Sequence, residues 1–248
     1  MRGREGFKVI DADWDYLIVL DACRFDVFKE VKNIEGVLKP KRSLGSVTTD
    51  WVKNNFRGNS EEIIYISGNP FVSDHEFDGF RASDHFSKVV NVWKTDWDKD
   101  LETIPPEKIT EAALREVERN PNKRMIIHYM QPHGPWIGDT NLSCKEQVKS
   151  NRSTINPFNN DEYFSLVKRV REELVFGGLS LKKFKRAYRD NLIHVLDDIE
   201  KLINSLDGKV VVTSDHGTLH GEWGLYFHSR FIRFKQLIVV PWLEVDRN

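Results

Sequence analysis

Lys209-Val-Val-Val-Thr-Ser-Asp215-His216-Gly217 is the stretch on which the fold turns. Its β-branched run has the composition of a buried strand, and it stops on an acid, an imidazole and a glycine. Tyr16-Leu-Ile-Val-Leu-Asp21 repeats the pattern, again an apolar run ending on a carboxylate. The two acids stand roughly 190 residues apart. In a parallel sheet both would emerge at the same carboxyl edge, where open α/β sheets place their ligands. Aspartate and histidine are donors that suit a divalent cation. The plainer role of an aspartate after a strand is to cap the next helix. Two such strand ends, one of them carrying Asp-His, favour a metal site.

Strand and helix patterns alternate along the chain. Strand-like runs fall at Asp15–Leu20, Val37–Pro40, Ile63–Ser67, Val89–Val92, Met125–Tyr129, Lys209–Thr213 and Gln236–Val240. Helical patterns fall at Arg24–Lys32, Asp50–Phe56, Pro106–Arg119, Glu162–Leu174 and Leu181–Leu206. In the last of these Leu192, Val195, Leu196, Ile199, Leu202 and Ile203 form an apolar stripe at helical spacing, which marks a core-facing helix. The alternation predicts a three-layer α/β/α sandwich around a mostly parallel sheet. A chain of 248 residues suits one such domain, spanning 1–248. Asp139–Asn160 is polar and without periodicity, and reads as a surface insertion or lid.

The charge balance is close to neutral, with a net charge of −1, so bulk electrostatics give no case for a nucleic-acid or anionic-membrane partner. No run approaches the roughly 18 apolar residues of a membrane span, and the first residues lack the apolar core of a secretion signal. Cys23 and Cys144 make no disulfide framework. A cytoplasmic location is expected.

Two further segments carry polar groups toward a shared edge. Ser43-Leu-Gly-Ser46-Val-Thr48-Thr49-Asp50 places several hydroxyls in a turn before a helix. A hydroxyl there either caps the helix or serves as a nucleophile beside free backbone N–H groups. Thr49, just before the expected first turn, suits capping, which leaves Thr48 to face a metal; Ser46 and Thr49 stay open as alternatives. His128-Tyr-Met-Gln-Pro-His133-Gly-Pro-Trp136 follows another strand. The prolines restrict His133, which either packs on Trp136 or is held toward the same edge.

Together these four segments resemble the alkaline phosphatase superfamily, in particular its branch of sulfatases and lipoteichoic acid synthases. Asp215-His216-Gly217 matches that family's Asp-His-Gly signature, and Asp21 looks like its first metal ligand. Thr48 looks like its nucleophile, and His133 in His-Gly-Pro-Trp like its substrate-side histidine. His228, in Gly221-Glu222-Trp-Gly-Leu-Tyr-Phe-His228, falls where the family carries a late anion-contacting residue. The resemblance implies one divalent metal (Mn²⁺, Zn²⁺ or Mg²⁺) on Asp21, Thr48, Asp215 and His216, with His133 and His228 toward substrate; Arg24, on the first turn after Asp21, is a further substrate-binding candidate. It also implies a phosphoryl-ester hydrolase or transferase acting on a small-molecule, glycan-linked or lipid-linked phosphate ester.

Departures from the family pattern bear on the chemistry. No Cys/Ser-x-Pro-x-Arg motif occurs, so a sulfatase is the lesser alternative, together with a non-catalytic metal-binding scaffold. Asp190-Asn-Leu-Ile-His194 has the spacing of a second-metal motif, yet its place inside a long amphipathic helix favours a solvated face. Arg24 is as well suited to a salt bridge with Asp26 as to an anion. His75 and His85 lie in the acidic segment Ser73–His85, which reads as a solvated loop.

Overall fold

Six consecutive buried residues, Tyr16–Asp21, form a strand with no solvent face, and such a strand belongs at the centre of a sheet. The computed structural model describes residues 6–142 and 170–246, and in it this strand, β1, lies at the middle of seven. The others are β2 (Gly36–Arg42), β3 (Ser60–Ser67), β4 (Phe86–Asn91), β5 (Arg124–Pro132), β6 (Val210–Ser214) and β9 (Val239–Val245). Their order is β2-β9-β6-β1-β5-β3-β4. β1 runs parallel to β5 and β6, and β3 runs parallel to β4 and β5, whereas β9 is antiparallel to both β2 and β6. A separate two-stranded ribbon joins β7 (Leu219–His220) to β8 (Tyr226–Phe227).

Alternation along β1 splits the core into two layers. Tyr16, Ile18 and Leu20 face one side, with Phe28 of α1 (Phe25–Val31), Ile109 and Ala113 of α4 (Pro106–Arg119), and Leu192, Val195 and Leu196 of α6 (Leu181–Ile203). Leu17 and Val19 face the other, against Trp51 and Val52 of α2 (Thr48–Asn55). Short helices α3 (Val92–Thr95), α5 (170–176) and α7 (Lys235–Ile238) and three 3-10 turns complete the described elements. The mostly parallel sheet flanked by helices is the expected three-layer α/β/α arrangement.

Three details differ from expectation. Gln236–Val240 is not one strand: α7 occupies 235–238 and β9 starts at Val239, since three apolar residues with no alternation do not distinguish a helical turn from a strand. α2 starts at Thr48, two residues early, with Val47 in extended backbone before it and no capping side chain. Of the expected helix Glu162–Leu174 and the insertion 139–160, the stretch 143–169 lies outside the described residues.

Leu196 is about 1% exposed on the core face of α6. Leu196→Ala should cost about 2–5 kcal/mol of unfolding free energy, read as a lower denaturant midpoint at unchanged slope.

Candidate active site

Parallel pairing of β1 with β6 puts Leu20 beside Ser214, so Asp21 and Asp215 leave the sheet next to one another. Each is fixed by its own hydrogen bonds. Asp215 Oδ1 accepts from the backbone N–H of Ala22 (3.1 Å) and of His216 (2.7 Å), which leaves Oδ2 facing outward. Ala22 reaches this position only by adopting left-handed backbone, with φ at 57°. Such strain in a non-glycine residue persists where the surroundings over-determine it. Ser214 Oγ, on the strand itself, accepts from Cys23 N–H at 2.9 Å and so ties the chain after β1 to the end of β6. Gly217 is required beyond His216, because a Cβ there would stand 2.0 Å from the Gln236 carbonyl oxygen.

Asp21 Oδ2 accepts from Asn69 Nδ2 at 2.8 Å, while its buried Oδ1 makes no hydrogen bond. His216 Nδ1 lies 2.8 Å from the Gly217 carbonyl, which can only accept, so Nδ1 carries the proton and Nε2 the lone pair. That lone pair faces Asp215 Oδ2 at 3.4 Å, Asp21 Oδ1 at 3.7 Å and Thr48 Oγ1 at 3.4 Å. Thr48 Oγ1 in turn donates to Asp215 Oδ2 at 2.7 Å.

Four electron-rich atoms therefore converge where water is excluded. Burial, and then the charge of Asp215, push the Asp21 carboxyl well above the usual aspartate range, against the lowering bond from Asn69. Two buried carboxylates and an imidazole lone pair repel one another unless a cation lies between them. Tetrahedral ligands at metal–ligand distances of about 2.0–2.1 Å stand about 3.4 Å apart, close to the separations of His216 Nε2 from both carboxylates. Asp21, Asp215 and His216 are the one group of three ligand-type side chains found among the described residues, their atoms all within 4.8 Å. The donor set thus fits a divalent ion, with Thr48 Oγ1 as its fourth ligand.

The hydroxyl turn is sorted by its contacts. Ser46 Oγ donates to the Ser229 carbonyl (3.0 Å), and Thr49 Oγ1 accepts from the Arg230 guanidinium (2.7 Å) rather than capping α2. Thr48, the first residue of α2, lies against Asp215 and His216, beside backbone N–H groups with no partner inside the helix.

His133 and His228 stand across from this cluster. Their ring centroids are 5.4 Å apart, and His228 lies 4.5 Å from His216. The His133 loop is bonded to β1 through His133 N–H to the Asp21 carbonyl at 3.2 Å. It is bonded to α6 through Asn191, whose side-chain oxygen accepts from Ile137 N–H and whose amide nitrogen lies 3.3 Å from the His133 carbonyl. Burial lowers His133 to about 4, outweighing its bond to Gly134, and burial also drives His228 well below the usual histidine value. Both rings are therefore neutral at pH 7, unlike the protonated donors that anion binding would suggest. His133 Nδ1 donates to the Gly134 carbonyl at 2.6 Å, so Nε2 keeps its lone pair.

Arg24 is placed elsewhere. Its buried guanidinium is held by Asp26 (2.7 Å) and Glu222 (2.6 Å), and it is not among the groups lining the cleft over Thr48. His194 is exposed on α6, and Asp190 accepts from Thr140, so that pair remains on the helix surface. His75 is exposed and His85 stacks on Phe80.

Several residues of the site are not apparent from the sequence. Asn69 follows β3 in Ser67-Gly-Asn-Pro, a turn signal at the same sheet edge that could have marked it. Buried His128 bonds Tyr65 through Nδ1 (2.7 Å) and places Nε2 4.0 Å from Asp215. Arg230 pairs with Asp50 at 3.0 Å and with Asp78, joining its own loop to α2 and to the segment after β3. Above Asp21, Thr48, His133 and His228 opens a cleft of about 360 Å³, walled by Phe71, Phe77 and Phe231. A larger hollow of about 480 Å³, around Lys209 and Trp242, lies at the opposite end of the strands.

No protein-family model matches the chain, and no curated protein sequence does. Solved structures do match its fold. The soluble domain of lipooligosaccharide phosphoethanolamine transferase A from Neisseria meningitidis superposes with a TM-score of 0.57 at 15% identity, covering 93% of this chain and 75% of that one. The periplasmic domain of phosphoethanolamine transferase EptC from Campylobacter jejuni gives 0.54 at 12% identity, covering 92% and 77%. A 2-O GAG sulfatase gives 0.53 at 11% identity, covering 95% and 65%. Against the whole integral membrane form of the Neisseria enzyme, the chain spans 47% of the length. These neighbours belong to the alkaline phosphatase-like superfamily, and the chain has their fold.

The raised Asp21 carboxyl has a consequence for stability without metal. A native state that holds this proton more tightly than the unfolded chain is stabilised below the ordinary value near 3.8, and loses that stability as pH rises through the raised one. Chelated protein should therefore unfold more easily at pH 8 than at pH 5, and Asp21→Asn should flatten the difference. Equal pH slopes in the two proteins would contradict the assignment.

Proposed function

We propose that the chain is a metal-dependent phosphoryl-ester hydrolase or transferase with Thr48 as its nucleophile. The observation that carries this reading is the convergence of Thr48 Oγ1 with Asp215 Oδ2 and His216 Nε2. A divalent ion held by Asp21, Asp215 and His216 would supply charge stabilisation and lower the pKa of the adjacent hydroxyl.

The chain's own groups then divide the work. Asp215 orients Thr48 by accepting the hydrogen bond of its hydroxyl. As Oγ1 bonds to phosphorus its proton is released to solvent, the ester P–O bond breaks on the opposite side, and the departing oxygen takes a proton from solvent in the cleft to leave as the alcohol. Free N–H groups at the start of α2 face the non-bridging oxygens. His133 Nε2, carrying a lone pair, is suited to take the proton of the water or alcohol that releases the phosphoryl group from Thr48. Water as acceptor makes the protein a hydrolase, and an alcohol makes it a transferase. The fold neighbours support phosphoryl or sulfuryl chemistry, and the absence of the Cys/Ser-x-Pro-x-Arg motif favours phosphoryl. The cytoplasmic placement belongs to the same proposal.

Thr48→Ala should keep metal affinity within about tenfold, since three ligands remain, yet form no phospho-enzyme on aryl phosphate or phosphodiester substrates with Mn²⁺, Zn²⁺ or Mg²⁺. Normal turnover in that variant with an inactive Ser46→Ala would move the nucleophile to Ser46. Turnover of sulfate esters alone would favour the sulfatase alternative, and turnover of nothing the scaffold.

His133→Ala and His228→Ala should each lower kcat on the order of a hundredfold, with His133→Ala accumulating phosphorylated Thr48 in rapid-quench measurements. His75→Ala, on an exposed loop, should be silent. A loss at His75 as large as at His133 would place the site elsewhere.

A further inference from the structure

The half of the cleft beyond the metal-type ligands has a chemistry of its own. Phe71 and Phe77, from the segment after β3, are half-buried with ring centroids 4.4 Å apart. Phe231, on the loop after His228, is 92% exposed. All three line the same cavity as Asp21 and Thr48. The wall is therefore continuous with the reacting centre.

Charge narrows what this wall can receive. Among the described residues lining the cleft, Arg230 is the one with a permanent positive charge, and it is neutralised by Asp50 and Asp78. A second anionic group on the ligand, such as another phosphate, would find no unpaired cation there. The same Arg230 contacts tie the loop bearing Phe231 to α2 and to the segment bearing Phe77, so the aromatic faces are held in place before any ligand arrives. An apolar group lying between these rings removes both surfaces from water.

We infer that the cleft selects phosphate esters whose organic group is apolar, an alkyl or aryl chain lying along Phe71, Phe77 and Phe231 while the phosphoryl group faces Thr48. This rests on the reading of the centre as a phosphoryl-ester site, and the test separates the two. Ethyl-, butyl- and hexylphosphonate are inert, carry the same head group and differ only in chain length. Their binding to the metal-loaded protein is measured by calorimetry, so the outcome does not depend on turnover.

Affinity should rise by about fourfold per buried methylene, on the order of a hundredfold from ethyl to hexyl. Phe231→Ser, a change at an exposed ring, should fold normally and flatten the series, as should Phe71→Ser, while ethylphosphonate affinity stays within about twofold. Equal affinity for all three chains in the wild-type protein would overturn the apolar assignment and leave the phosphoryl site standing. Failure of every phosphonate to bind would overturn the phosphoryl site itself. A chain-length dependence that persists unchanged in both variants would show that the organic group lies on another wall, and would also overturn the inference.

Discussion

Two carboxylates buried side by side are the constraint around which the rest is arranged. Asp21 and Asp215 end neighbouring parallel strands, and neither has the solvent that would normally separate like charges. The surrounding bonds fix one oxygen of each and turn the other toward a common point. Backbone N–H groups hold Asp215 Oδ1, Asn69 holds Asp21 Oδ2, and the tautomer of His216 adds a third lone pair. A protein does not keep such a set dry for stability alone, because apolar residues of the same volume would pack there at lower cost. The strained Ala22 backbone fits the same view, since its N–H is one of the two that hold Asp215.

What the sequence reveals follows from how local each signal is. β1 and β6 are legible because their runs are almost wholly apolar or β-branched and an acid, Asp21 or Asp215, stands at the end of each. The Asp-His-Gly turn is legible because Gly217 admits no side chain beside Gln236. The α6 stripe is legible because it repeats at helical spacing over many turns. The last strand is misplaced because Leu237 and Ile238 are buried in a helical turn, and burial rather than periodicity sets their chemistry. Thr49 was expected as a cap, but α2 starts one residue before it and Arg230 claims its hydroxyl, a partner 181 residues away. Asn69, Arg230 and the aromatic wall stay hidden for the same reason: each acts through contacts between distant loops.

The histidines show how burial decides a role that residue type leaves open. At ordinary values His133 would share its time between charged and neutral forms near pH 6.5. Set among His216, His228 and the sheet edge, it is pushed to about 4 and becomes a proton acceptor. His128 is displaced to about 4 by the same cause, yet Tyr65 occupies its Nδ1, so it supports the wall behind Asp215 instead of facing the cleft.

Asn191 gives the site a mechanical property that no single distance conveys. It sits on the core helix α6, yet its side chain bonds the loop that carries His133. Leu192, its neighbour in sequence, is fully buried against the sheet. The loop is thereby riveted to a helix of the core, and cannot peel away unless Asn191 lets go. Its backbone amides would open with the global unfolding of the core, not with the fast fraying usual for surface loops. The His133 side of the cleft is thereby as firm as the core itself, while Phe231 presents its ring almost wholly to solvent.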